Sequence, residues 1–257
     1  MSARIELHHK VHVLTKKEEL DSVRVKGKVV IVLDVLFATT TMVAALAHGA
    51  REIVPVLDEA AALAHGGTLD EGSFVLSGEL YAETLAGFAH PAPLALLEHG
   101  VRDKTIVYST TNGTVAMTQA AGAARVYCGA LLNARAIAEH VAREHPRETV
   151  LILCSGSGNN FNLEDFYGAG VFVARFADLL GAAADFSDAA KAALGFSRQA
   201  SLPEALYDCR VGRMMVSRGL RHEVDFACRV DSLPVVAALD AGTVKLVSDS
   251  ARSRTGR

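Results

Sequence analysis

Four polar stretches, each containing glycine or a hydroxyl run, stand directly behind apolar runs in this 257-residue chain. Asp34 follows VVIVL and precedes three consecutive hydroxyls, Thr39, Thr40 and Thr41. Ser77, Gly78 and Glu79 follow the run Phe74–Leu76, and STTNGT (109–114) follows Thr105–Tyr108. SGSGNNFNLED (155–165) follows Thr149–Cys154. Asp34, Glu79 and Asp165 together would supply hard oxygen ligands of the kind Mg²⁺ takes. Glu164 and Asp165 both stand in a first helical turn, where either favours the helix dipole. Neighbours on a helix point about 100° apart, so one of the two faces the site, and Asp165 is the choice. Thr39, Thr40 and Thr110, the amide of Asn112, and the backbone at Gly113, Ser155 and Gly156 suit an oxyanion. A metal beside an anion-binding loop set is equipment for phosphoryl chemistry. Taken singly, Asp34 caps a turn as readily as it binds a ligand, and Asn-Gly is a common turn. The gathering of all four loops favours a site.

Two other phosphatase readings fail on residue identity. Cys154 sits at the same edge, but the thiol-phosphatase pattern C-x₅-R is absent because residue 160 is Asn. A strand-borne Asp also suggests a phospho-aspartyl nucleophile of the DxD type, but the second position is Leu36. Neither GxxxxGK[ST] nor GxGxxG occurs in the glycine-rich loop.

The elements that must position these residues alternate. VVIVL and the run before Cys154 are wholly apolar, as strands buried on both faces of a parallel sheet are. Helices are expected over MVAALAHGA with a Thr N-cap, and over 58–65, 94–99, 115–121, 131–144 and 163–180. Further strands are expected at Ile5–Leu14, where His8, His9 and His12 read as solvated, and at 52–56 and 125–128. Alternation of strand and helix predicts an α/β fold, a mixed, mostly parallel sheet with helices on both faces. Parallel strands would bring the four loops to one edge. From Gly181 to about residue 230 the pattern turns helical, with strand candidates at 235–239 and 243–247. No boundary divides the chain, so residues 1–257 read as one domain.

Composition narrows the function classes. Half the residues are apolar and the net charge is −3, enough for a sizeable core. No Lys/Arg run makes a nucleic-acid footprint. Trp is absent and aromatics are 6%, against a stacking platform for bases or sugars. Cys128, Cys154, Cys209 and Cys228 form no CxxC pair, as in a reduced interior. With no signal-like or membrane-length apolar run, the chain is expected to be cytoplasmic, with no nucleic-acid or membrane partner. Assembly as a homo-oligomer is left open.

DVLFATTT, SGE, STTNGT, the SGSG…LED helix start and SRGLRHEVDFACRVD (217–231) resemble the 2-phosphosulfolactate phosphatase (ComB-like) family. The likeness runs from about Leu7 to Leu239 in order. It implies an α/β fold and a Mg²⁺-dependent hydrolase of a small anionic phosphoester. That substrate would be 2-phospho-3-sulfolactate, giving sulfolactate and phosphate, on a route to coenzyme M. Asp34, Glu79 and Asp165 would carry the metal and the catalysis. The family pattern carries arginine where Phe37 and Leu80 stand, and GFAHPAP (87–93) replaces its Asp- and Asn-bearing stretch. Of Arg210, Arg213, Arg218 and Arg221, the pair inside SRGLRH, Arg218 and Arg221, is expected to replace the lost guanidiniums. Two other outcomes are open: a catalytically degenerate small-anion-binding or interaction protein on the same fold, or an enzyme for a less charged substrate.

Overall fold

A computed structural model describes residues 10–248. His8 and His9 lie outside the described residues. In chain order the strands are β1 (Val11–Leu14), β2 (Val29–Leu33), β3 (Glu52–Val56), β4 (Phe74–Leu80), β5 (Glu83–Thr84), β6 (Thr105–Ser109), β7 (Arg125–Gly129), β8 (Val150–Cys154), β9 (Ala237–Asp240) and β10 (Thr243–Leu246). The helices are α1 (Ala38–Ala47), α2 (Glu59–Gly66), α3 (Pro93–His99), α4 (Gly113–Gln119), α5 (Ala134–Glu144), α6 (Leu163–Leu180), α7 (Asp188–Gln199), α8 (Glu204–Asp208), α9 (Arg210–Ser217) and α10 (Arg221–Ala227).

All ten strands join one mixed sheet, in the order β1-β8-β2-β7-β9-β10-β3-β6-β4-β5. Two parallel groups, β1-β8-β2-β7 and β3-β6-β4, are joined by the β9–β10 hairpin, which pairs antiparallel to β7 on one side and β3 on the other. Across three antiparallel pairings the strand direction reverses. A single parallel edge is therefore not what gathers the loops. Both groups instead enclose a shared core with α1 and α4.

The alternation within β2 shows how the layers form. Val30 and Val32 point into the core holding α1 and α4, while Val29, Ile31 and Leu33 meet α5, α6 and α7 on the other face. Every residue of β2 is buried, which accounts for its unbroken apolar run. Helix α1 is buried from Ala38 to Leu46, as a helix apolar all round must be.

The region from Asp188 to Ala227 is helical; α7 packs with α6 in the layer under the sheet, and α8, α9 and α10 form a cap. Leu206, Cys209, Val211 and Met215 bury against Val35, Leu36 and Tyr167. Glu223 of α10 pins the cap to the body: its buried carboxylate accepts the N–H groups of Leu94 (2.8 Å) and Ala95 (2.9 Å) at the start of α3. Those are helix-end donors with no partner inside their own helix.

Candidate active site

Asp34 ends β2 and is nearly closed off, 8% exposed. Its Oδ1 accepts the N–H of Phe37 at 3.0 Å. The first residue of α4 lies directly against it. A Cβ added at Gly113 would stand 2.8 Å from Asp34 Oδ2 and 2.3 Å from Ala38 Cβ. Only glycine allows the approach of α4 to this carboxyl. Burial, and after it the charges of Glu79 and Glu164, push the Asp34 carboxyl up to about 7.

Glu79 comes from the far side of the cavity. It belongs to β4, not to a loop; the strand runs on through Ser77 and Gly78 to Leu80. Its carboxylate accepts the N–H of Thr111 (2.6 Å) and of Ala82 (2.5 Å) and the hydroxyl of Thr111 (3.2 Å). It thereby fastens the β6–α4 loop to the β4–β5 turn. Tyr81 and Ala82, the two turn residues, hold left-handed φ values of 52° and 64°, a conformation that costs a residue with a side chain.

Together these elements enclose a cavity of about 440 Å³. Asp34, Glu79, Thr110, Thr111, Asn112, Ser157, Asn160, Asn162 and Arg210 supply its polar wall. Leu36, Phe37, Ala38, Tyr81, Val211 and Met214 supply an apolar one. Asn112 is held in place by Lys17, a buried lysine whose Nζ donates to Asn112 Oδ1 (3.0 Å) and to the carbonyl of Ser155 (3.3 Å).

Several expected site residues serve the scaffold. Thr39 Oγ accepts the N–H of Asp34 (2.8 Å) and donates to its carbonyl (3.0 Å), and Thr40 Oγ donates to the carbonyl of Val35 (2.8 Å). Both lie inside α1, which starts at Ala38 with Phe37 as N-cap and no side-chain cap. Neither lines the cavity. Asp165 also turns away from it. Its Oδ1 accepts the N–H of Val35 (2.9 Å) and its Oδ2 that of Gly156 (3.1 Å), tying two loops together. Burial, then Asp34 and Glu164, raise its carboxyl well above the ordinary range. Gly156 takes φ +61°, and a Cβ there would meet the Asn160 carbonyl at 2.6 Å. Ser155 is buried, its hydroxyl without a hydrogen-bond partner among the described residues.

Neither Glu164 nor Asp165 lines the cavity; both are buried, at 1% and 0% exposure. Glu164 Oε1 has no hydrogen-bond partner among the described residues, and burial raises its carboxyl. The expected set Asp34–Glu79–Asp165 does not come together. Among the described residues, no three His, Cys, Asp or Glu side chains are placed to hold a metal jointly. Asp34 and Glu79 do line one cavity. They are the two carboxylates that could hold Mg²⁺, which commonly takes one or two carboxylates and fills its other positions with water and phosphate oxygens.

The arginines also differ from expectation. Arg218 donates to the Ala82 carbonyl and pairs with Glu83 (2.6 Å), and Arg221 stacks on Tyr207, 4.1 Å from the ring centre. Neither lines this cavity; Arg210 does. It opens α9 and donates to Ser157 Oγ and Asn162 Oδ1. Leu80 is exposed, whereas Phe37 forms part of the apolar wall. Cys154 is fully buried, and that burial pushes its thiol well above the ordinary range, unlike a reactive cysteine.

An α/β body with a buried carboxyl at a strand end, an anion-suited loop and a helical cap defines the class: a small-molecule site of the kind phosphoryl chemistry uses. The chain belongs to the 2-phosphosulpholactate phosphatase family, whose model matches residues 14–242. Curated relatives carry the name "Probable 2-phosphosulfolactate phosphatase". One from Deinococcus radiodurans is 36% identical over 219 residues, covering 83% of this chain and 88% of the relative. One from Symbiobacterium thermophilum is 34% identical over 224 residues, covering 86% and 95%. One from Clostridium beijerinckii is 27% identical over 237 residues, covering 91% and 98%. No helix among the described residues is long and apolar enough to cross a membrane.

Proposed function

We propose that the protein is a Mg²⁺-dependent phosphatase of small phosphomonoesters, for which 2-phospho-3-sulfolactate is the reference substrate by the relatives' names. The observation that carries this reading is the placing of Asp34, Asn112 and Arg210 on the wall of one cavity, each from a different element. Water adds at phosphorus, the P–O bond to the ester oxygen breaks, and the alcohol leaves with one of the water's protons.

The chain's own groups divide this work. Arg210 meets phosphoryl oxygens with a charge-assisted fork. Thr110, Thr111 and Asn112 orient the remaining oxygens, with Lys17 and Glu79 holding that loop in position. Asp34 is the carboxyl at the reacting end. Asp34 and Glu79 would hold the metal, which when bound offsets phosphoryl charge and activates water. Burial of the floor excludes bulk water and strengthens each of these interactions.

Phosphate release from a panel of small phosphoesters, with Mg²⁺ and with EDTA, tests the reading. Turnover with Mg²⁺ that EDTA abolishes and Asp34→Ala removes is expected. Absence of release from every ester refutes it. Thermal stabilisation by a phosphoester without turnover would instead favour a non-catalytic anion binder.

A further inference from the structure

The cavity's two walls differ in kind, and the difference bears on the part of the substrate beyond phosphorus. Among the described residues, Arg210 is the one Lys or Arg side chain lining the cavity. The other arginines of the cap are engaged elsewhere: Arg213 donates to the Asp208 carbonyl, Arg218 to Ala82 and Glu83, and Arg221 lies on Tyr207. Lys17 is buried, faces Asn112, and pairs with Glu18 at 3.2 Å. A phosphoester with a sulfonate and a carboxylate would therefore bring two further anions to a cavity whose own carboxylates are Asp34 and Glu79. One guanidinium serves one anionic group well, and the phosphoryl group takes it.

The cavity also offers apolar surface. Leu36, Phe37, Val211 and Met214 line it and belong to one apolar cluster, from the β2–α1 loop and α9. A second, smaller cavity of about 170 Å³ also touches Phe37, Ala82 and Met214, but Glu83, His90 and the paired Arg218 line it too, so it does not extend the apolar surface. The main cavity, at about 440 Å³, is by itself larger than a phosphoryl group needs. Ligand sites of this composition take an apolar body with a few placed polar groups.

From this we infer that the enzyme prefers phosphomonoesters whose alcohol portion is uncharged and apolar, an arylalkyl or short alkyl phosphate packed on Phe37 and Met214, over esters bearing further acidic groups. The inference rests on the phosphatase reading above. Hydrolysis is balanced as given there, with the released alcohol apolar.

The test compares kcat/KM for benzyl phosphate and butyl phosphate with that for 2-phospho-3-sulfolactate and phosphoglycolate. All four release alkoxides, so leaving-group reactivity does not dominate. At least a tenfold preference for the apolar pair is expected in the Mg²⁺-loaded protein. Phe37→Arg and, independently, Met214→Arg are each expected to cut benzyl phosphate turnover at least tenfold and raise that of the acidic esters. Equal turnover of both pairs, or a preference for the acidic pair, overturns the inference and leaves the phosphatase reading standing. No turnover of any of the four overturns both.

Discussion

Replacing Asp34 with asparagine should make the protein more stable as pH rises, although it removes the carboxyl at the centre of the site. A carboxyl ordinarily titrating at 3.8 and held at about 7 in the fold favours its protonated form when folded. The stability that goes with it is full below pH 3.8 and is lost progressively as pH rises to 7. At about 1.4 kcal/mol for each tenfold change in proton affinity, the full cost of ionising Asp34 is about 4 kcal/mol. More than half of that falls between pH 5 and 8. Asparagine stays neutral, keeps an oxygen for the Phe37 N–H, and relieves the repulsion from Glu79 and Glu164. Urea unfolding in EDTA, at pH 5, 6, 7 and 8, reads the difference directly. Asp34→Asn should gain on the native protein by about 2 kcal/mol or more across that range. A stability difference independent of pH within about 0.5 kcal/mol would refute the burial argument. So would a native protein whose stability climbs with pH in step with the variant.

Arg210→Ala should lower kcat/KM by about 10- to 150-fold, the loss of a charged hydrogen bond of about 1.5–3 kcal/mol. Arg218→Ala removes an exposed pair worth under about 1 kcal/mol and should change kcat/KM less than threefold in the same steady-state assay. Gly113→Ala drives a methyl group into Ala38 and Asp34; calorimetry should register a loss of about 1–3 kcal/mol with activity near background. Thr39→Val leaves the backbone of Asp34 without its hydroxyl partner. It should cost about 1–3 kcal/mol of stability and leave KM within twofold, whereas a phosphate-binding role would raise KM tenfold or more.

What could be read from the sequence was local. Asp34, Asn112 and Gly113 follow strands in the chain, and a strand–loop–helix unit puts such residues at a sheet edge wherever it occurs. The two apolar runs at β2 and β8 and the bounds of α6 were legible for the same reason. Hydroxyls were not, because threonine serves equally as a cap, a ligand or a brace inside a helix, and the choice depends on which carbonyl lies near. Thr39 finds the carbonyl of Asp34, so the run that reads as a cap lies within α1. Asp165 departs from expectation for a related reason. Helix geometry turns one of two adjacent carboxylates toward a site only where the helix start borders it, but the start of α6 lies between the β2–α1 loop and the cap, and both carboxyls are buried off the cavity. The choice of arginine turned on partners more than a hundred residues away, Glu83 for Arg218, which sequence spacing does not register.

The β9–β10 hairpin is the feature local reading was least able to place, and the site depends on it. Strand β10 reaches β3 through the single pair Val244 and Ile53, and β9 reaches β7 through Leu239 with Val126 and Ala238 with Tyr127. Those pairings join the group carrying Asp34 to the group carrying Glu79 and Thr111. Each closes a loop of more than a hundred residues, whose entropic cost rises only slowly with length. A late hairpin can therefore stitch together halves formed long before it in the chain. The carboxyls of Asp34 and Glu79 repel each other across this seam. Their proximity is maintained by strand pairing, by the burial of α1 between the groups and by Lys17, which bridges Asn112 to the Ser155 carbonyl. A cation placed between those carboxyls would reverse the sign of that interaction, so the arrangement that costs the metal-free protein stability is the one that would bind Mg²⁺ and a phosphoryl group together.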